Sequence, residues 1–271
     1  TGGGSQADNL AIRGFMHGPS SKGRKHIITS KIEHHAVLYT CEALEKEGYR
    51  VTYLNVDKEG RVDLEQLKNE LSEDTALVSV MAANNEIGTI QPLKQISELA
   101  HSVGAKFHTD AVQAVGHMHI DVQEMGIDML SLAGHKFRGP RGTGVLYVKN
   151  GIQLEPLVYG GGQERGMRPG TEAVPNIAAF AKACEIRMAH FEEDYTHVQE
   201  LADYLKQQVS AELVKPDENH DFSLLSVILA AGETDKSVLK KLKKLSDERK
   251  YQSGKHGWSS IRLAVVDLDT H

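Results

Sequence analysis

The chain has 271 residues, with 31 basic against 37 acidic side chains and a formal net charge of −6. Hydrophobic residues at 40% and charged residues at 25% allow a sizeable core, enough for one large domain and a small one, and exclude disordered and collagen-like chains. Mild acidity without a dense basic cluster argues against nucleic acid as a partner. No run approaches about 18 uninterrupted apolar residues, and no basic, apolar, small-residue series opens the chain, so the expectation is a soluble protein without a membrane partner. The two cysteines, Cys41 and Cys184, lie outside any CxxC spacing and fit a reducing, cytoplasmic setting.

In chain order, the glycine run TGGGSQ leads into a helix pattern from about Gln6. His26 to Ser30 predicts a strand, His35 to Glu47 a helix, Val51 to Leu54 a strand, and Asp63 to Leu71 a helix capped by Asp63. Ala76 to Met81 reads as an apolar strand, Pro92 to Val103 as a helix with proline in its first turn, and Lys106 to His108 as a short strand. Ile127 to Leu132 and Gly144 to Val148 are two more strands around a glycine-rich turn. This alternation predicts an α/β fold with a mostly parallel sheet flanked by helices, in which ligands sit beyond the carboxyl ends of the strands. From Pro175 the pattern becomes two long helices, Asn176 to Ala189 and Phe191 to Leu213, then weak strands at Ser223 to Leu229 and Ser260 to Val266. Residues 1–190 are therefore expected to form a large domain and 191–271 a smaller α+β one. The basic stretch Lys236 to Lys250, with Leu239, Leu242 and Leu245 three apart, reads as a solvated amphipathic helix rather than a docking one.

The strand ends carry the chemistry. Glycines before a helix, with Ser5 beside them, offer amide donors to an anion such as phosphate, although a terminal tail has the same composition. Asn84, Asn85 and Glu86 follow one strand, Asp110 and Gln113 another, and His135 and Lys136 a third. If a helix starts at Asp110, Gln113 shares its face. Lys136 after a buried strand either snorkels to solvent or is a Schiff-base amine. A phosphate cradle, an amine and a carboxylate that keeps a ring nitrogen protonated together meet the demands of pyridoxal phosphate, and His34 supplies a flat face against the ring.

The series TGGGSQADNLAI, EHHAVL, NNEIGTIQPL, HTDAVQAVG, LAGHKFRGPRGTGVLYV, GGGQERGMRPGTE and SSIRL resembles, in order and spacing, the cysteine desulfurases of the class V aminotransferase group, with selenocysteine lyase a close relative. The resemblance runs from Thr1 to about Ala189 and resumes at Ser259. It implies fold type I of the pyridoxal phosphate enzymes, a homodimer, and removal of sulfur from L-cysteine or selenocysteine to leave alanine. The sulfur would go to an acceptor protein for iron–sulfur cluster or thio-cofactor assembly. It also implies the residue roles. Lys136 matches the lysine that holds the cofactor, His34 the stacked histidine, Asp110 the partner of the ring nitrogen, and Gln113 and Asn85 neighbours of the ring hydroxyl. Gly4, Ser5 and His135 match phosphate-binding positions, with Thr171 reaching the phosphate from a partner subunit. Arg262, with Asn85 beside it, matches the grip on the substrate carboxylate. No metal is implied.

The chain departs from the family at three places. The region that precedes the glycine loop in the family is not in this sequence, Ala133 stands where many members have a phosphate-binding serine, and no cysteine lies between Phe222 and Ser259, where the family carries its nucleophilic loop. After Arg262 the sequence ends in LAVVDLDTH, so the chain reads as shortened at both ends. Cys41 and Cys184 sit among apolar neighbours in helical patterns and are expected to be structural. The alternatives are a carbon–sulfur or selenocysteine lyase that forms no persulfide, a catalytically silent scaffold with the same fold, and a metal site built from His34, His108, Asp110 and His135, whose spacing does not match zinc motifs.

Overall fold

The structure is a computed structural model that describes residues 1–208, with side chains through residue 200. Helix α1 (Gly4–Asn9) runs through a π-helical turn, Leu10–Gly14, into α2 (Phe15–His17). There follow β1 (His26–Ser30), α3 (His35–Lys46), β2 (Arg50–Leu54), α4 (Leu64–Glu70), β3 (Thr75–Ser79), α5 (Leu93–Ser102), β4 (Lys106–Asp110), β5 (Met129–Ala133) and β6 (Gly144–Val148). Helices α6 (Val174–Ala189) and α7 (Phe191–Gln208) complete the described elements. Thr1–Phe191 pack as one compact unit, and Glu192 begins a second. Among the described residues no helix is long and apolar enough to cross a membrane.

The six strands form one sheet in the order β2-β1-β3-β4-β5-β6, parallel except for β6, which runs antiparallel to β5. β1 and β3 are buried along their whole length, because a parallel sheet is covered on both faces, and their polar residues His26, Thr29, Ser30, Thr75 and Ser79 are buried with the apolar ones. Successive residues supply opposite cores. Ile28, Val78 and Phe107 pack under α4 and α5 with Leu67 and Ile96, whereas Ile27, Leu77 and Met129 pack under the α1 run and α3 with Ile12, Phe15, Val37 and Leu44. The helix stripes explain the placement: Val37, Cys41 and Leu44 recur at helical spacing along α3, as do Leu93, Ile96 and Ala100 along α5. β1 sits between β2 and β3, so the chain reverses its direction of growth there and opens a crevice at the carboxyl edge.

Two sequence expectations change for local reasons. β3 ends its pairing with β1 at Ser79 instead of reaching Met81, where the Met81 amide donates to both carboxylate oxygens of Glu33 at 3.0 Å, while the Val80 and Ala82 amides still donate to the His108 and Asp110 carbonyls of β4. No helix starts at Asp110. β4 extends to that residue, and its carboxylate accepts from the Val112 amide at 2.9 Å, a side-chain turn that competes with helical bonding. Gln113 therefore lies in a turn closed by the Ala114 and Val115 amides on the Ala111 carbonyl. The segments at 223–229, 236–250 and 260–266 lie outside the described residues.

Candidate active site

Four strand or helix ends converge at the carboxyl edge of the sheet. Gly4, the first residue of α1, is buried so tightly that a Cβ there would lie 2.7 Å from Val112 Cγ2 and 3.5 Å from the Ala133 Cβ. The start of α1 is thus wedged between the residue that bonds Asp110 and the end of β5. β6 closes the other side: a Cβ on Gly144 would lie 2.5 Å from the Gly3 carbonyl carbon, and the Gly144 amide donates to the Thr1 carbonyl at 2.9 Å. Gly3, the residue that caps α1, makes no side-chain cap bond. Ser5 beside it is exposed. This backbone cradle, free of Cβ atoms where it is narrowest and open at a helix start, fits an anionic group.

Asp110 ends β4 and is buried, with 5% of its surface exposed. Burial pushes its carboxyl up, while the Val112 amide and the charges of His34 and Lys136 pull it back down. His34 caps α3, its Nδ1 accepting from the Ala36 amide at 3.1 Å, and its ring is exposed. This bond fixes Nδ1 as the acceptor nitrogen. Lys136 and His135 stand exposed on a single 3-10 turn, Gly134–Phe137, directly after β5. Burial and the neighbouring charges of Lys136 and Arg141 lower the His135 imidazole. The turn closes on Arg138 in a left-handed conformation, with the Gly139 amide donating to the Gly134 carbonyl at 2.8 Å.

The two adjacent asparagines separate cleanly. Asn84 is buried and builds its loop: its Nδ2 donates to the Ile32 carbonyl at 2.9 Å, and its Oδ1 accepts from the Glu86 and Ile87 amides at 2.8 and 3.0 Å. Asn85 is exposed at the same loop, and Gln113 is half-buried beyond Asp110. Thr171 is exposed in the loop before α6. Arg262 lies outside the described residues. The ring nitrogens of His108 are already engaged by Ser79 Oγ at 2.8 Å and Ser131 Oγ at 3.0 Å. Among the described residues no group of three or more His, Cys, Asp or Glu side chains is placed to hold a metal ion.

Sequence reasoning missed two buried acids here. Glu33, 6% exposed, accepts from Ser30 Oγ at 2.6 Å as well as from Met81, and burial pushes its carboxyl up to about 8. Asp8, 1% exposed, lies on the inner stripe of α1. Its signal was available: positions 8, 11, 12 and 15 keep helical spacing, and three of the four are apolar.

The aminotransferase class-V family model matches residues 1–243. The cysteine desulfurase IscS of Clostridium botulinum (strain Hall) is 52% identical over 213 residues, which are 79% of this chain and 53% of that protein. The chain thus spans about half the length of the curated relatives it matches. A solved NifS-like protein superposes with a TM-score of 0.74 at 38% identity, covering 77% of this chain and 57% of the other. SspA, solved in complex with cysteine, gives a TM-score of 0.65 at 43% identity over 68% of this chain and 54% of its own. The sheet and its helices are those of fold type I, and the chain belongs to the class-V aminotransferase family, where it groups with the cysteine desulfurases.

Proposed function

We propose that this chain carries the pyridoxal phosphate site of a cysteine desulfurase, acting on L-cysteine or selenocysteine in the cytoplasm as a homodimer and passing sulfur to an acceptor protein. The observation that carries the reading is the placement of Asp110 at the end of β4, Lys136 on the turn after its neighbour β5 and His34 at the start of α3, with the glycine start of α1 packed between Val112 and Ala133. When bound, pyridoxal phosphate supplies an electron sink for the charge that develops at the substrate α-carbon. The chain's own residues do the rest. Buried Asp110 would hold a proton on the ring nitrogen, His34 would offer its exposed ring as a stacking surface, and Lys136 would provide the amine and serve as base. Gly4, Ser5 and His135 would hold the phosphate together with Thr171 of a second copy, Asn85 and Gln113 would serve the ring hydroxyl, and Arg262 would take the substrate carboxylate. Residues 1–190 and 191–271 are read as the large and small domains of this arrangement.

Borohydride reduction of the cofactor-loaded chain, followed by peptide mapping, tests the assignment. The reduced adduct is expected on Lys136; an adduct on another lysine in the unaltered protein rejects it.

The cysteines favour a second reading of the sulfur step. Cys41 is fully buried, and burial together with the Glu33, Glu45 and Glu42 carboxylates pushes its thiol up to about 12; burial also raises Cys184. Neither is a ready thiolate. With no cysteine between Phe222 and Ser259, this polypeptide releases sulfide as a carbon–sulfur lyase does rather than storing it as a persulfide. Mass spectrometry after incubation with cysteine decides between the two, since a persulfide on Cys41 or Cys184 with matching alanine rejects the lyase reading.

A further inference from the structure

The site described above uses Asp110 but not the acid packed behind it. Asp8 is 1% exposed, on the face of α1 that also buries Ala7, Ala11 and Ile12 through the following π turn. Its Oδ1 lies 3.8 Å from His108 Nε2 and has no hydrogen-bond partner. His108 is fully buried, and both its nitrogens are within hydrogen-bonding distance of the Ser79 and Ser131 hydroxyls. His108 and Asp110 are two residues apart on β4, so they share one face of the sheet, the face that α1 covers.

The imidazole gives Asp8 no counter-charge. Burial lowers His108 to about 3, so the 3.8 Å approach is not an ion pair with an imidazolium. The other groups that act on Asp8 are Asp110 from β4, Ser131 from β5 and Glu33 from the loop before α3. Burial and the Asp110 charge push the Asp8 carboxyl well up, Ser131 opposes this, and Glu33 adds to it. Asp110 has more in its favour: the Val112 amide, His34 and Lys136 all stabilise its charge. Two carboxyls buried on one face of a sheet resist ionising together, and the one with more stabilising partners takes the charge.

We propose that Asp8 is a positioning residue for Asp110: a neutral carboxylic acid that, with His108, Ser79 and Ser131, forms an uncharged polar layer behind Asp110 and confines the negative charge of the pair to the carboxylate that faces the ring nitrogen. This rests on the role given to Asp110 above.

Two substitutions test it, one neutral and polar (Asp8→Asn) and one neutral and apolar (Asp8→Val). In the cofactor-free chain at neutral pH, the infrared difference between the unaltered protein and Asp8→Asn is expected to contain a protonated-carboxyl stretch; an ionised-carboxylate band in its place overturns the proposal. After loading with pyridoxal phosphate, Asp8→Asn is expected to keep the cofactor dissociation constant and the pH profile of the visible spectrum. Asp8→Val should weaken cofactor binding about ten-fold, the scale on which outer hydrogen-bonding partners act, and shift that profile. Should Asp110→Asn change the spectrum while Asp8→Val changes neither quantity, the proposal fails and the Asp110 reading stands. If Asp110→Asn leaves the spectrum unaltered, both fall.

Discussion

At the amino edge of β4 and β5, Asp128 is fully buried yet surrounded by cations. Its carboxylate lies 2.6 Å from His101 Nε2 and accepts from Lys106 Nζ at 3.3 Å and the Phe107 amide at 3.0 Å, with Lys149 Nζ at 3.9 Å. Burial alone would raise this acid, but those partners outweigh it and hold it below its usual range. At the carboxyl edge of the same strands, Asp8, Glu33 and Asp110 are as deeply buried, and each is pushed upward by burial. One edge compensates its charge locally and stabilises the fold. At the other, hydrogen bonds do not outweigh burial, the condition in which a proton or an added cationic ring is held rather than repelled.

The largest test of that contrast is at Asp110. Asp110→Asn should retain the fold and bind the cofactor yet lower turnover of cysteine by several powers of ten, the scale expected when a few kcal/mol of transition-state stabilisation is lost. Steady-state assay of sulfide or alanine checks this, and unchanged turnover would mean that another acid serves the ring.

Asp128→Ala should act in the opposite way, sparing the carboxyl edge and costing about 3 kcal/mol of stability, because it strips the partner from several cations and from the Phe107 amide. Urea unfolding measures it. In the unaltered protein Asp128's contribution is present above its unfolded value and is lost as pH falls through its lowered native one.

Glu33 carries the reverse sign. Its native value of about 8 stands above the 4.5 of an ordinary glutamate, so the fold keeps a proton that the unfolded chain releases. Its contribution is complete below 4.5 and declines as pH rises towards about 8. Glu33→Gln should flatten that decline, by on the order of a few kcal/mol between the two limits, in unfolding curves recorded as a function of pH. An unaltered slope would place the proton elsewhere.

The smallest effect is expected at His101, which retains 35% side-chain exposure. His101→Gln should cost about 1 kcal/mol or less, since Lys106 and the Phe107 amide remain on Asp128. A loss as large as that of Asp128→Ala would show that one pair, rather than the cluster, holds this edge.

The sequence by itself determined where the strands and helices fall and which strand ends bear reactive groups. The adjacent apolar pairs Ile27–Ile28 of β1 and Leu77–Val78 of β3 fall on opposite faces of a strand and so indicate burial on both, and the stripe Val37, Cys41, Leu44 fixes the inner side of α3. Lys136, Asp110 and His34 were legible because each lies at or shortly after the end of a strand-forming run. Only the tertiary structure decided what depends on proximity across the chain. Asn84 and Asn85 are alike in sequence, and it is the Ile32 carbonyl, 52 residues away, that makes the first structural and leaves the second exposed. Glu33 ends the pairing of β3 with β1 through an amide 48 residues distant. Asp8 reads as a polar interruption of a helix until α1 closes over β4 and sets it against His108 and Asp110. Local spacing encodes which face a side chain takes, but the protonation of a buried acid is set by every charge around it, and those charges arrive from strands that meet only when the sheet is assembled.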